Sequence, residues 1–210
     1  MSRTPRSAGF SLIEILVVIA IIGLLLALVV ASVGRQTEAG RITDCRARLE
    51  QFALLCESFK DRTGDYPPCR LAALGVKDGN PVNEGIEAAV AALRASSYGG
   101  RRPEERWLGN GDDDSTRSWK AADGSGALLE LVDPWDGPVA YIAARDYDES
   151  FTFRAGAGTA AEDVALRAAI NPLTGAPWHS DSFQLRSAGP DGVFGTDDDV
   201  ANHEIRSGGD

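Results

Sequence analysis

The sequence predicts an α+β fold: one long N-terminal helix, then a small domain whose antiparallel strands come last. Three observations carry that reading. An uncharged, mostly apolar run extends from Ile15 to Gly34. Apolar residues then recur at Ile42, Cys45, Leu49, Phe52, Cys56 and Phe59, spaced three and four apart as one face of an amphipathic helix. Alternating strand patterns appear only in the last third of the chain.

The first helix is expected from about Leu12 to Arg62. Asp44, Arg46, Arg48, Glu50, Glu57 and Lys60 occupy its remaining faces, Gly64 offers a stop, and Pro67-Pro68 exclude continuation. Its first half is a candidate transmembrane segment over 10–34, since twenty residues from Ile15 rise about 30 Å as a helix, one hydrocarbon thickness. Its second half, 35–64, is amphipathic, and 65–210 forms the globular domain.

A second, short helix is expected over Glu84 to Ala95, capped by Asn83, with Ile86, Val90 and Leu93 inward. Residues 96–126 are rich in Gly, Asp and Arg and read as an irregular excursion anchored by Trp107 and Trp119. Its triple acid, Asp112-Asp113-Asp114, lacks the glycine spacing of an EF-hand loop and is expected to be solvated. After the turn Asp133 to Pro138, strands are expected at Val139 to Ala143, Phe151 to Arg154 and Ser182 to Ser187, with His203 to Arg206 closing the sheet. Helix first and antiparallel strands last is the α+β arrangement.

The chain has 210 residues, enough for one soluble domain with a core besides the helical anchor. Its formal net charge of −10 argues against a nucleic-acid partner, which would call for a basic stripe. Cys45 and Cys56 lie about 16 Å apart along one helix, too far to bridge. Cys56 and Cys69 either pair or, with Cys45, act as small buried hydrophobes.

The N-terminus carries an unusual signal. A short basic head, Met1 to Gly9, leads into GFSLIE at Gly9 to Glu14 and then the apolar run. A secretory signal is cut after its apolar core. Here the candidate site, between Gly9 and Phe10, precedes the core, and a glutamate stands inside an apolar stretch where an ionised carboxylate is costly. The string GFSLIEILVVIAIIGLLLAL resembles the class III signal of the type IV pilin-like family. The resemblance implies that prepilin peptidase removes leader 1–9 by cutting between Gly9 and Phe10, that Phe10 becomes N-methylated, and that Glu14 is the buried acid used in assembly. Arg3 and Arg6 before the span place the N-terminus inside, and the long polar remainder outside, in an oxidising compartment.

The second acidic stretch, Ser187 to Val200, reads SAGPDGVFGTDDDV. Glycines fold it too tightly for a strand, and three adjacent carboxylates repel unless neutralised. Ca²⁺, which takes six to eight hard oxygen ligands, suits such a loop, whereas His179 and His203 have no ligand-like spacing to a cysteine for zinc. The alternative is an acidic surface turn without metal.

Together with DPWDGPVAYI at Asp133 to Ile142, this loop is similar to that of the major pseudopilins of type II secretion. The resemblance implies that Asp191, Asp198 and Asp199 supply carboxylates, and Ala188 and Thr196 backbone carbonyls, to a calcium ion. Asp197 then faces water. Asp136 stands where those proteins usually have glycine, and segments around 101–123 and 156–178 are additional.

A structural subunit is therefore expected: an inner-membrane, single-pass protein with its C-terminal domain in the periplasm, polymerised into a filament that drives protein secretion. The implied partners are prepilin peptidase, other pseudopilin or pilin subunits and an inner-membrane assembly platform. A type IV pilus subunit for adhesion, motility or DNA uptake is the alternative. Nothing in the sequence supports an enzyme: it has no Ser-His-Asp or Cys-His order and no phosphate loop.

Overall fold

The computed structural model describes residues 12–156 and 161–203, without the side chains at 14, 24 and 26–36. The chain divides into two compact units, 1–40 and 41–210. Helix α1, Leu12–Thr63, contributes residues to both.

From Ile15 to Ile19 α1 is apolar all round. Ile15, Leu16, Val17, Val18 and Ile19 follow one another, and each is roughly half exposed or more. Five consecutive helical residues sweep more than a full turn, so no face of this stretch is covered within the chain. Among the described residues no helix is long and apolar enough to cross a membrane. The expected span, 10–34, also takes in residues 10 and 11, which are not among the described ones, and residues 14, 24 and 26–34, described only as helical backbone.

The second unit is built on the amphipathic part of α1. Cys45, Leu49, Phe52 and Cys56 are buried there, and Ile42 and Phe59 flank them, as their spacing predicts. They face Tyr141, whose ring meets Phe52 edge-on at 6.4 Å and whose hydroxyl donates to the Pro67 carbonyl at 2.8 Å. The helix stops where expected: Gly64 takes φ 91°, and its N–H closes on the Lys60 carbonyl at 2.8 Å.

Helix α2, Glu84–Arg94, lies inside the domain, with every residue from Gly85 to Arg94 buried. Its alanines let it approach closely, and Gly85 sets the limit, since a Cβ there would stand 2.3 Å from the Tyr141 carbonyl. Asn83 does not cap it with its side chain. The residue takes φ 58°, and its amide instead donates to Glu130 and accepts the Arg154 N–H.

All named ladders are antiparallel, but they form three small sheets rather than one. Strands β1 (Leu108–Gly109) and β2 (Glu130–Leu131) pair with each other. Strand β3 (Ala140–Ala143) pairs with β6 (Phe183–Ser187), which pairs in turn with β7 (Val200–Ala201). Strand β4 (Phe151–Ala155) pairs with β5 (Glu162–Leu166), which the sequence reading did not anticipate.

Among the described residues the strand that follows β6 in its sheet is Val200–Ala201; of the expected closing strand His203 to Arg206, His203 is a bend and 204–206 lie outside the described residues. Asn202 ends the ladder by imitating it: its side chain accepts from the Leu185 N–H and donates to the Phe183 carbonyl. Residues 204–210 lie outside the described ones. Cys45, Cys56 and Cys69 are all free and buried. Burial pushes the Cys45 thiol up to about 12.

Candidate metal centres

Of the expected assembly and processing residues, Gly9 and Phe10 lie outside the described residues, and Glu14 is described only as helical backbone. The acidic positions that the structure describes fall into two groups, one in the C-terminal loop and one inside the domain.

The C-terminal loop closes on itself through its backbone. Gly189, at φ 66°, leaves a Cβ position only 2.2 Å from the Asp198 carbonyl, so the two ends of the loop touch where only glycine fits. Asp198 accepts the Asp191 N–H at 3.0 Å and the Thr196 hydroxyl at 2.5 Å. Asp191 accepts the Val193 N–H, and Asp199 accepts the Gly195 N–H.

Burial pushes Asp198 up, but the Thr196 hydroxyl and the Asp191 N–H outweigh it and leave its carboxyl below the ordinary value. Burial raises Asp199 despite the Gly195 N–H, and its Oδ1 is buried with no hydrogen-bond partner among the described residues. Ala188 is buried, and the Thr196 carbonyl accepts the Asp199 N–H at 3.4 Å. The three carboxylates Asp191, Asp198 and Asp199 are not among the groups whose ligand atoms all lie within 4.8 Å of one another.

The loop is tied to the preceding turn. Buried Asp133 accepts the Trp135 and Gly137 N–H groups on one oxygen and the Ser187 hydroxyl, at 2.6 Å, on the other. In that turn Asp136 takes φ 65°, a left-handed conformation that suits glycine and that Asp tolerates better than most residues.

The interior group is the one that converges. Ligand oxygens of Glu87, on the first turns of α2, Asp112, after β1, and Glu130, on β2, all lie within 4.8 Å of one another. Pairing of Gly109 with Glu130 brings the second and third together, and the Gly111 N–H donates to Glu130. Asp114 joins them: Asn80 holds one oxygen of Asp112 through its amide and one of Asp114 through its N–H.

The other oxygens of Asp112 and Asp114, and both of Glu87, are buried with no hydrogen-bond partner among the described residues. Burial, then the charges of Asp114, Asp112 and Glu130, push Glu87 up to about 10. Burial likewise raises Glu130 to about 7, against the opposing Asn83 amide. Two like charges 4 Å apart repel by about 4 kcal/mol at an effective dielectric near 20, so such a group does not stay fully ionised alone.

Residues 4–30 match the prokaryotic N-terminal methylation motif. The chain is also 29% identical over 144 residues to the type II secretion system core protein G of Pseudomonas aeruginosa, covering 68% of this chain and 78% of that protein. The chain is pilin-like. No solved structure matches it.

Sequence reading of this pilin-like chain took the triple acid at 112–114 for a solvated loop. The structure corrects this: only Asp113 is exposed, at φ 59°, while Asp112 and Asp114 turn inward. Two signals pointed there. Glu87 shares the inner face of α2 with Ile86 and Val90, and Glu130 interrupts the apolar run Leu128, Leu129, Leu131, Val132.

Proposed function

We infer that this chain is a structural pseudopilin subunit of a type II secretion system, assembled into a filament that drives protein secretion. The observation that carries the reading is the pairing of the methylation motif at 4–30 with similarity to core protein G across 144 residues. The bare apolar surface of α1 agrees with it, because such a surface requires lipid or other helices around it.

In this reading prepilin peptidase cuts between Gly9 and Phe10, and the new Phe10 amine is methylated. Glu14 meets the Phe10 amine of a neighbouring subunit, which offsets the roughly 2.5–3.5 kcal/mol that an acid costs at membrane depth and sets the axial stagger. Residues 10–34 cross the inner membrane with the N-terminus cytoplasmic, and the domain from residue 65 lies in the periplasm. Its partners are other pseudopilin subunits and the inner-membrane assembly platform.

Calcium belongs to the same reading. Asp191, Asp198 and Asp199, with the carbonyls of Ala188 and Thr196, would hold it in the C-terminal loop. The donor set is all oxygen, and Asp199, whose other oxygen has only Arg186 at 3.9 Å for a cation, keeps a buried Oδ1 without a hydrogen-bond partner among the described residues. An ion there would stiffen the end of the β3–β6–β7 sheet.

Two measurements test the reading. Intact mass of membrane-purified protein should give a chain beginning at N-methyl-Phe10; Met1 retained, or a cut within the apolar run, would refute the processing. Deleting the gene should abolish export of the host's type II substrates and leave surface pili intact. Lost pili with normal export would make the chain a pilus subunit instead.

A further inference from the structure

We propose that Glu87, Asp112, Asp114 and Glu130 form an interior binding site for a calcium-sized divalent cation, separate from the C-terminal loop. Glu87 is the observation that points to a ligand. It is fully buried, it converges with Asp112 and Glu130 and lies against Asp114, and no N–H or hydroxyl group of the described residues donates to either of its oxygens, which could bond only by sharing a proton with Asp114.

The neighbouring acids are arranged in the same sense. Asn80 tethers one oxygen of Asp112 at 2.9 Å and one of Asp114 at 3.4 Å, and the second oxygen of each is left bare and buried. Asn110 clamps the backbone of Asp114 from both sides, donating to its carbonyl and accepting its N–H. Glu130 is aimed by Asn83 and Gly111. Three of the four acids, Asp112, Asp114 and Glu130, are thus held in place around Glu87 by side-chain and N–H donors.

Protonation alone does not complete the site. A proton on Glu87 can be shared with Asp114 but leaves the second oxygen of Asp112 bare; a dication between Glu87, Asp112 and Glu130 would answer the convergent oxygens together. The Arg154 charge is felt by Asp112 and Glu130, but its direct contacts go to Asp163 at 3.0 Å and the Gly111 carbonyl at 3.5 Å rather than to the cluster's oxygens.

Coordination habit favours calcium. Ca²⁺ accepts six to eight oxygens in a flexible, irregular arrangement, whereas Mg²⁺ demands near-ideal octahedral geometry and gives up its waters reluctantly, which a set of carboxylates from three separate segments does not favour. The donors are all oxygens, and the group includes neither cysteine nor histidine, which disfavours zinc. The half-buried Asp112 marks the way in from solvent.

The test uses the full chain in detergent, stripped with chelator and dialysed against Ca²⁺, with bound metal counted by mass spectrometry. Glu87→Gln should lose one calcium equivalent relative to the unaltered protein. The double variant Asp198→Asn/Asp199→Asn should keep that equivalent whether or not the loop binds an ion of its own. In chelator Glu87→Gln should melt at or above the unaltered protein, because a buried acid becomes a neutral amide, and added Ca²⁺ should then raise its melting point less.

Equal calcium content in Glu87→Gln and the unaltered protein would overturn the proposal and leave a carboxyl cluster held together by protons. If Glu87→Gln fails to fold, Asp112→Asn at the rim decides by the same count. Equal retention of Mg²⁺ would overturn the choice of calcium. A calcium deficit confined to the Asp198/Asp199 variant would support the loop reading alone and refute this one.

Discussion

The two acidic regions of this domain look alike in sequence and differ in physics. In the C-terminal loop, Asp191, Asp198 and Asp199 accept N–H or hydroxyl groups from residues no more than 7 positions away in the chain, and one buried oxygen is left over. Inside the domain, Glu87, Asp112 and Asp114 leave four buried oxygens bare although they come from two distant segments. Adjacency in sequence supplies local donors; convergence in space does not. An acidic run is therefore a weak guide to a cation, and the count of unanswered oxygens is a better one.

The largest expected effect separates how the two regions are held. Gly189→Val puts a branched side chain at φ 66° with its Cβ 2.2 Å from the Asp198 carbonyl, and should cost about 2–4 kcal/mol in denaturant melts. Gly111→Ala, beside the interior cluster, meets only a Glu130 oxygen at 3.7 Å and should cost less than about 1 kcal/mol. Similar losses at both positions would mean that the C-terminal loop is not fixed by its backbone closure.

What was legible in sequence divides along the same line. The inner faces of α1 and α2 follow from helical spacing, because Cys45, Leu49, Phe52, Ile86, Val90 and Leu93 need only their own helix to be placed on one side. The C-terminal acids were found because their glycine-punctuated loop is contiguous. The interior group was missed because it depends on a two-residue ladder, β1 with β2, too short to leave an alternating pattern. Asn83 misled for a related reason: Glu130 and Arg154, distant in sequence, take the side chain that local rules assign to a helix cap.

The second effect is a difference of sign with pH between the interior acids and Asp198; Asp199, raised by burial, acts in the same direction as the interior acids. Glu87 and Glu130 hold protons more tightly when folded, at about 10 and about 7 against an ordinary 4.5, so they favour folding fully below about 4.5 and lose that contribution as pH rises through those values. Asp198, held below its ordinary 3.8, favours folding above that value and loses its contribution only as pH falls further. The calcium-free protein should gain stability from about pH 8 to about pH 5, by at most about 1.4 kcal/mol per pH unit for each interior acid. Urea melts in chelator measure the slope. Glu87→Gln should flatten it and Asp198→Asn should not; an unchanged slope in Glu87→Gln would mean that this acid does not hold its proton when folded.

The smallest effect is the most selective. Asp113 is the middle member of the triple acid, exposed at φ 59° between two inward-facing neighbours. Asn tolerates that left-handed conformation as well as Asp does, so Asp113→Asn removes one charge from the run while preserving its shape. If the interior cluster acts through directed oxygens, stability should change by less than about 0.5 kcal/mol and calcium affinity by less than about twofold. If the run instead attracts cations as a diffuse negative patch, every member counts alike, and Asp113→Asn should weaken calcium as much as Asp112→Asn does. Such a patch would also fade with salt, because exposed charges are screened over about 10 Å at 0.1 M, whereas a buried site is screened far less. Titrating calcium into both variants at low and at moderate ionic strength tells the two apart, and equal losses at both positions would dissolve the distinction between the two acidic regions.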